Sequence, residues 1–110
     1  MVPTAQASGA VARRSPASAC SSLAEVRAGI DRIDREMVAL LADRARFVRE
    51  AARFKSSAAA VRAPDRVEQV VANVKALAAE LGADPKLVEE VYRTMIAKLI
   101  DMELREHSSL

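Results

Sequence analysis

From residue 22 onward, apolar residues recur at steps of three and four, the spacing of one face of an α-helix. The letters SLAE at residues 22–25 form an S-x-x-E capping box, so a helix is predicted to begin at Leu23. Gly29 is the only glycine or proline inside the pattern, which continues to Lys55 or Ser56. This predicts a helix of about 33 residues, roughly 50 Å long.

Two further helices are predicted after a loop. Pro64 suits the first turn of the second helix, and Gly82 suits its C-terminal cap. Asp84 and Pro85 are typical of an N-cap and a first helical residue, and the third helix is predicted to end near Glu106. The pattern therefore predicts an all-α chain with one long, one short and one medium helix.

The long helix predicts a partner chain. A compact domain of about 100 residues has a radius of gyration of only about 13 Å, so much of a helix of this length lacks an intrachain partner. Its apolar stripe then requires burial against another molecule, and an intertwined helical homodimer is expected. A plain antiparallel coiled-coil dimer is the alternative with the same feature.

Composition and charge narrow the function. The 110 residues are 51% hydrophobic and 3% aromatic, which favours packed helices. The net charge is +2, and from Leu23 onward 15 basic residues balance 15 acidic ones. This balance argues against general nucleic-acid binding, which needs a basic face.

The first 21 residues are rich in alanine, serine and proline and contain no acid. A disordered tail over residues 1–21 and a helical domain over residues 22–110 are predicted, with a transit peptide as the alternative for the tail. The tail has no continuous apolar region of a secretory signal, and no run is long enough to span a membrane. A cytoplasmic protein is expected. Cys20 is the only cysteine, and neither a disulfide nor a metal site is predicted.

Charges interrupt the apolar face of the long helix. We call this row the charged stripe: Arg27, Ile30, Asp34, Met37, Leu41, Arg44, Val48, Ala51 and Lys55. Burying an unpaired charge costs several kcal/mol, so its three cations should have anionic partners. Separate explanations exist, namely snorkelling of Arg27 and salt bridges of Arg44 and Lys55 to Asp43, Glu50 or another chain. A dianionic ligand held between helices satisfies them together.

Two residues outside the long helix extend this interpretation. Arg66, near the start of the second helix, is either an exposed first-turn arginine or a further cation for the ligand. Glu103 follows Tyr92, Ile96 and Ile100 on one face of the third helix. It is either an ordinary acid near a helix end or a buried, protonated carboxyl group that donates a hydrogen bond.

The run LAEVRAGIDRIDREMVALLADRARFVREAARFK, followed by APDRV, resembles the all-helical chorismate mutases of the AroQ class. It is especially similar to their branch of isochorismate-pyruvate lyases, and the resemblance covers about Leu23 to Leu104. It implies intertwined three-helix dimers that use no metal or organic cofactor. It also implies rearrangement of chorismate to prephenate, or elimination of pyruvate from isochorismate to give salicylate.

The resemblance also implies site residues. Arg27 would bind one substrate carboxylate across the dimer interface, and Arg44 would bind the other. Lys55 would donate to the ether oxygen of the breaking bond and to a carboxylate, with Glu103 as the second ether-oxygen donor. Arg66 occupies a further cationic position of the family. The implied catalytic residues are Lys55, Glu103 and Arg44; the implied substrate-binding residues are Arg27, Arg44, Lys55, Arg66, Ile96, Ile100 and Glu103.

Two departures bear on the reaction. Typical bacterial mutases of the family carry acids where this chain has Ala63 and Val67, which favours the lyase branch. Glu103 points the other way, because those lyases have glutamine there. Chorismate mutase is therefore expected, with isochorismate-pyruvate lyase as the alternative and both activities compatible with one site. A non-catalytic helical dimer is the remaining possibility.

Overall fold

The computed structural model describes residues 19–110, and helix α1 spans Leu23–Ala52. Ser22 caps its start, since the Ser22 hydroxyl oxygen accepts from the Glu25 amide at 3.1 Å. The Glu25 carboxylate accepts from the Ser21 amide at 2.7 Å and from the Ser21 hydroxyl at 3.0 Å. The backbone hydrogen bond, followed by the hydroxyl, holds the pKa of Glu25 below its usual range. The predicted helix start is confirmed, with Ser21 rather than Ser22 donating to Glu25.

Helix α1 ends at Ala52, earlier than the predicted end at Lys55 or Ser56. Its last turn tightens, because three successive amides donate to carbonyls three residues back instead of four. These bonds are Arg53 to Glu50 at 3.1 Å, Phe54 to Ala51 at 3.0 Å and Lys55 to Ala52 at 3.4 Å. Lys55 therefore lies outside the helix, and the charged stripe does not extend to it.

A short helix, α2, spans Ala58–Arg62 where the sequence predicted a loop. The Ser57 hydroxyl caps it by accepting from the Ala60 amide at 3.1 Å. Three alanines then supply strong helix propensity, which explains the helix. Ala63 ends α2 with a left-handed φ of 36°, and its amide donates to the Ala59 carbonyl.

Helices α3 (Pro64–Leu81) and α4 (Pro85–Ser108) confirm the second and third predicted helices. Gly82 caps α3 with a φ of 81°, a conformation that favours glycine. The Asp84 carboxylate caps α4 by accepting from the Lys86 amide at 2.9 Å. All regular secondary structure in residues 19–110 is helical, so the all-α prediction is confirmed there.

The described residues divide into two compact units, one that ends at Ala39 and one that spans Leu40–Leu110. In the described part of the first unit, large apolar side chains of α1 are 41–65% exposed, namely Leu23, Val26, Ile30, Met37 and Val38. The second unit has a small core made of Ala52, Val61, Val71, Ala78 and Ile96. No helix in residues 19–110 is long and apolar enough to cross a membrane. The predicted tail lies outside the described residues except for its last three.

Candidate active site

A cavity of about 360 Å³ lies within the second unit, between the end of α1, α2, the start of α3 and α4. Six of the predicted site residues line it: Arg44, Lys55, Arg66, Ile96, Ile100 and Glu103. The volume is in the range of small-molecule sites. Arg27 belongs to the first unit and is exposed.

Lys55 and Glu103 form an ion pair in this cavity. Lys55 Nζ lies 2.7 Å from Glu103 Oε2, and the two side chains are 27% and 4% exposed. Glu103 is the only buried charged residue in the part of the chain that the structure describes. Because a buried carboxylate needs a compensating charge, Lys55 provides the partner that makes its burial tolerable. The interpretation of Glu103 as an ordinary acid near a helix end does not fit this burial.

The backbone of Lys55 is also held by α4. Its carbonyl oxygen accepts a hydrogen bond from His107 Nε2 at 2.8 Å. Glu103 and His107 are four residues apart and therefore share one face of the helix. Helix α4 thus contacts Lys55 both at the end of its side chain and at its carbonyl group.

Two arginines of the cavity, Arg44 and Arg66, have neutral neighbours. The Arg44 guanidinium carbon lies 5.7 Å from the centre of the Tyr92 ring, a cation–π distance. Arg66 donates a hydrogen bond to the side-chain oxygen of Gln69. The acids considered for Arg44 and Lys55 are engaged elsewhere, since Asp43 pairs with Arg46 at 2.8 Å and Glu50 with Arg53 at 2.6 Å.

Positive charge dominates the cavity lining. Four cations line it, namely Arg44, Lys55, Arg62 and Arg66, against the single acid Glu103, so its formal charge is +3. Apolar side chains such as Val48, Val70 and Leu99 complete the wall. Cations fixed beside apolar surface bind a compact dianion strongly, because the low local dielectric strengthens each charge interaction.

Ala63 and Val67 also line the cavity. Their side chains offer methyl groups and no hydrogen-bond acceptor. Ala63 holds a φ of 36°, a conformation that a residue with a Cβ adopts at some cost. This position links α2 to α3, and Arg66 follows it by three residues.

Two residues of this region were not predicted as functional. Arg62 is exposed and lines the cavity at the end of α2. His107 lies one helical turn after Glu103, and that spacing was the available signal. Within residues 19–110, no three His, Cys, Asp or Glu side chains form a metal-binding group.

Two comparisons with known proteins bear on the family of this chain. Residues 26–104 match the sequence profile of the family described as chorismate mutase type II. The chain is also similar to an isochorismate pyruvate lyase of Pseudomonas aeruginosa, with 40% identity over 77 residues. The matched region covers 70% of this chain and 76% of the relative.

Proposed function

Because the chain belongs to the chorismate mutase type II family, we propose that it rearranges chorismate to prephenate in the cavity of the second unit. The observation that carries this proposal is the part-buried Lys55–Glu103 pair inside a cavity lined by three arginines. Such a site holds a compact dicarboxylate and offers a hydrogen-bond donor at its buried end. Chorismate has this shape and charge, with an ether oxygen between its two carboxylate-bearing parts.

The rearrangement needs no nucleophile. The enzyme holds the flexible substrate in its folded, reactive conformer, and this positioning removes much of the entropic barrier. Negative charge grows on the ether oxygen as the C–O bond lengthens, and a fixed cation stabilises that charge. Lys55 is proposed to donate to this oxygen, with Arg44 binding one substrate carboxylate and Arg66 adding positive charge to the cavity. Ile96 and Ile100 form apolar surface beside the ring.

Glu103 is proposed as the second donor to the ether oxygen. Without substrate its carboxylate accepts from Lys55 at 2.7 Å, so it has no proton to donate in that arrangement. A dianion entering the cavity repels the carboxylate and competes for the Lys55 ammonium group. Donation by Glu103 to the ether oxygen therefore requires its protonated form, in which the hydroxyl group is the donor.

A homodimer completes the proposed site. The exposed apolar side chains of α1 in the first unit are suited to burial against a second copy, as in the intertwined dimers that the sequence resembles. Arg27 of that copy would then bind the remaining substrate carboxylate. A cytoplasmic location stays a prediction.

Mixing two inactive variants tests the shared site. Arg27→Ala and Lys55→Ala chains, unfolded together and refolded, form mixed dimers with one intact site and one doubly altered site. About a quarter of wild-type activity is expected if pairing is random and two-fold symmetric. Each variant refolded alone provides the control. A mixture no more active than either variant alone contradicts the contribution of Arg27 across the interface.

Elimination of pyruvate from isochorismate is the second candidate, and Ala63 and Val67 favour it. Neither residue accepts a hydrogen bond from the ring hydroxyl of chorismate, and the relative in Pseudomonas aeruginosa is an isochorismate pyruvate lyase. An unpaired buried hydroxyl costs about 1–3 kcal/mol, or roughly 5- to 150-fold in affinity. The double variant Ala63→Asp/Val67→Glu is therefore expected to bind chorismate more tightly than the wild type.

The deciding experiment incubates the purified protein separately with chorismate and with isochorismate. Prephenate from chorismate supports the mutase reaction, and salicylate with pyruvate from isochorismate supports the lyase reaction. If the protein turns over neither substrate and a dicarboxylate transition-state analogue does not raise its melting temperature, a non-catalytic helical dimer is favoured.

A further inference from the structure

Lys55 lies in the short connection between α1 and α2, where few local contacts fix its position. Helix α1 ends at Ala52 and α2 begins at Ala58, so Lys55 has no helical hydrogen-bond ladder of its own. Its amide reaches the Ala52 carbonyl at 3.4 Å, longer than a usual N–H to O distance. Phe54, the preceding residue, is 80% exposed and therefore contributes little burial to this connection.

Helix α4 supplies what the connection lacks. His107 Nε2 lies 2.8 Å from the Lys55 carbonyl oxygen, and Glu103 Oε2 lies 2.7 Å from Lys55 Nζ. The two α4 residues are separated by about one turn, a rise of about 6 Å. The lysine backbone and the end of its side chain are thus each attached to one face of the same rigid helix.

We propose that His107 is a positioning residue for catalysis: by fixing the Lys55 backbone on α4, it directs the Lys55 ammonium group at the reacting ether oxygen. The inference rests on the proposed function of Lys55. A carbonyl oxygen only accepts hydrogen bonds, so His107 donates through Nε2–H. Both the neutral ring with this tautomer and the protonated ring can donate, so the attachment does not require one charge state.

The role of His107 becomes important once substrate binds. The ether oxygen and a carboxylate of the substrate then compete with Glu103 for the Lys55 ammonium group, which weakens the side-chain attachment. The backbone attachment through His107 persists, because it does not involve the ammonium group. A displacement of about 1 Å at a catalytic group costs up to about 100-fold in rate, so loss of the donor should be seen mainly in kcat.

Three variants test this inference. His107→Phe keeps an aromatic ring but has no donor, and His107→Gln restores an N–H at a similar distance from the backbone. Glu106→Gln alters the neighbouring exposed residue and serves as the control. With the substrate that the wild type turns over, His107→Phe is expected to lower kcat by about 10- to 100-fold with KM within about threefold, as for an interaction made in the transition state. His107→Gln should recover most of this loss.

Backbone order parameters of residues 54–57, measured by NMR relaxation, provide a readout that needs no activity. They should fall in His107→Phe and return in His107→Gln, while melting temperatures show that each variant is folded. Unchanged order parameters in His107→Phe, or lowered ones with an unchanged kcat, would overturn the inference. A wild type that turns over neither substrate overturns the proposed function and with it the catalytic role of His107, whereas the order parameters still decide whether the attachment exists.

Discussion

In residues 19–110, two glutamates of α4 form ion pairs with lysines that lie outside this helix, and the two pairs have similar distances but different surroundings. Lys55 lies 2.7 Å from Glu103, and Lys75 of α3 lies 2.9 Å from Glu89. The side chains of the first pair are 27% and 4% exposed, and those of the second are 44% and 25% exposed. Distance alone therefore does not distinguish a candidate catalytic pair from a surface pair.

The neighbours make the difference. Glu89 also accepts from Arg93 at 2.9 Å, and Arg93 pairs with Glu68 at 2.9 Å, so this surface network satisfies its own charges. Hydrogen bonds from Lys75 and then Arg93 lower the pKa of Glu89, and that from Arg93 lowers the pKa of Glu68. The cavity instead has more cations than acids, and a bound anion would neutralise this excess. Uncompensated charge is thus a better sign of a site than the presence of an ion pair.

The largest expected effect is that of Lys55→Ala. Loss of a donor to developing negative charge costs about 100- to 1,000-fold in kcat. The matched variant Lys75→Ala removes a lysine from the other pair and should leave kcat within about twofold. Steady-state kinetics of both variants measure the difference, and near-normal turnover by Lys55→Ala would contradict the assignment.

A companion variant separates catalysis from folding. In Lys55→Ala, Glu103 stays buried without its cationic partner, and this unpaired buried charge is expected to lower the melting temperature. Lys55→Ala/Glu103→Gln removes that buried charge and should recover much of the melting temperature while remaining inactive. Recovery of activity together with stability would show that Lys55 serves the fold alone.

The next effect is the pH dependence of turnover. If Glu103 donates only when protonated, kcat should fall as pH rises, by up to about tenfold per pH unit where the carboxylate predominates. Glu103→Gln donates at every pH and should give a flatter profile. Glu89→Gln is the matched control and should keep the wild-type profile. The same profile for wild type and Glu103→Gln would refute the proton-donor role.

The sequence predicted the positions of the helices more accurately than the contacts of Lys55. The capping serine and the glycine and prolines at helix ends act locally, so the starts of α1, α3 and α4 were correct. The end of α1 was wrong because no glycine or proline marks it, and helical spacing still placed Lys55 on the stripe. Periodicity along one helix also cannot reveal that α4 holds Lys55 at both Glu103 and His107, because that contact joins residues about fifty positions apart in sequence.

The smallest expected effect concerns the surface network. Folding lowers the pKa of Glu68 and of Glu89 below the ordinary value of 4.5. Such a carboxylate stabilises the folded protein at a pH above 4.5, and this contribution is lost as the pH falls through the lower pKa of the folded state. Arg93→Ala removes the partner shared by Glu68 and Glu89. Its melting temperature should therefore be lower than that of the wild type by at most a few degrees at pH 7, because exposed pairs contribute little.

This difference between Arg93→Ala and the wild type should shrink below pH 4.5, as both proteins lose the contribution of the two carboxylates. Thermal melts at intervals from pH 7 to pH 3 measure it, and added salt should reduce it because the pairs are exposed. Turnover by Arg93→Ala should match the wild type, since the network lies outside the residues lining the cavity. A difference that stays constant with pH would mean that Arg93 stabilises the helices by packing. A large loss of turnover would mean that the surface network and the Lys55–Glu103 pair are not independent.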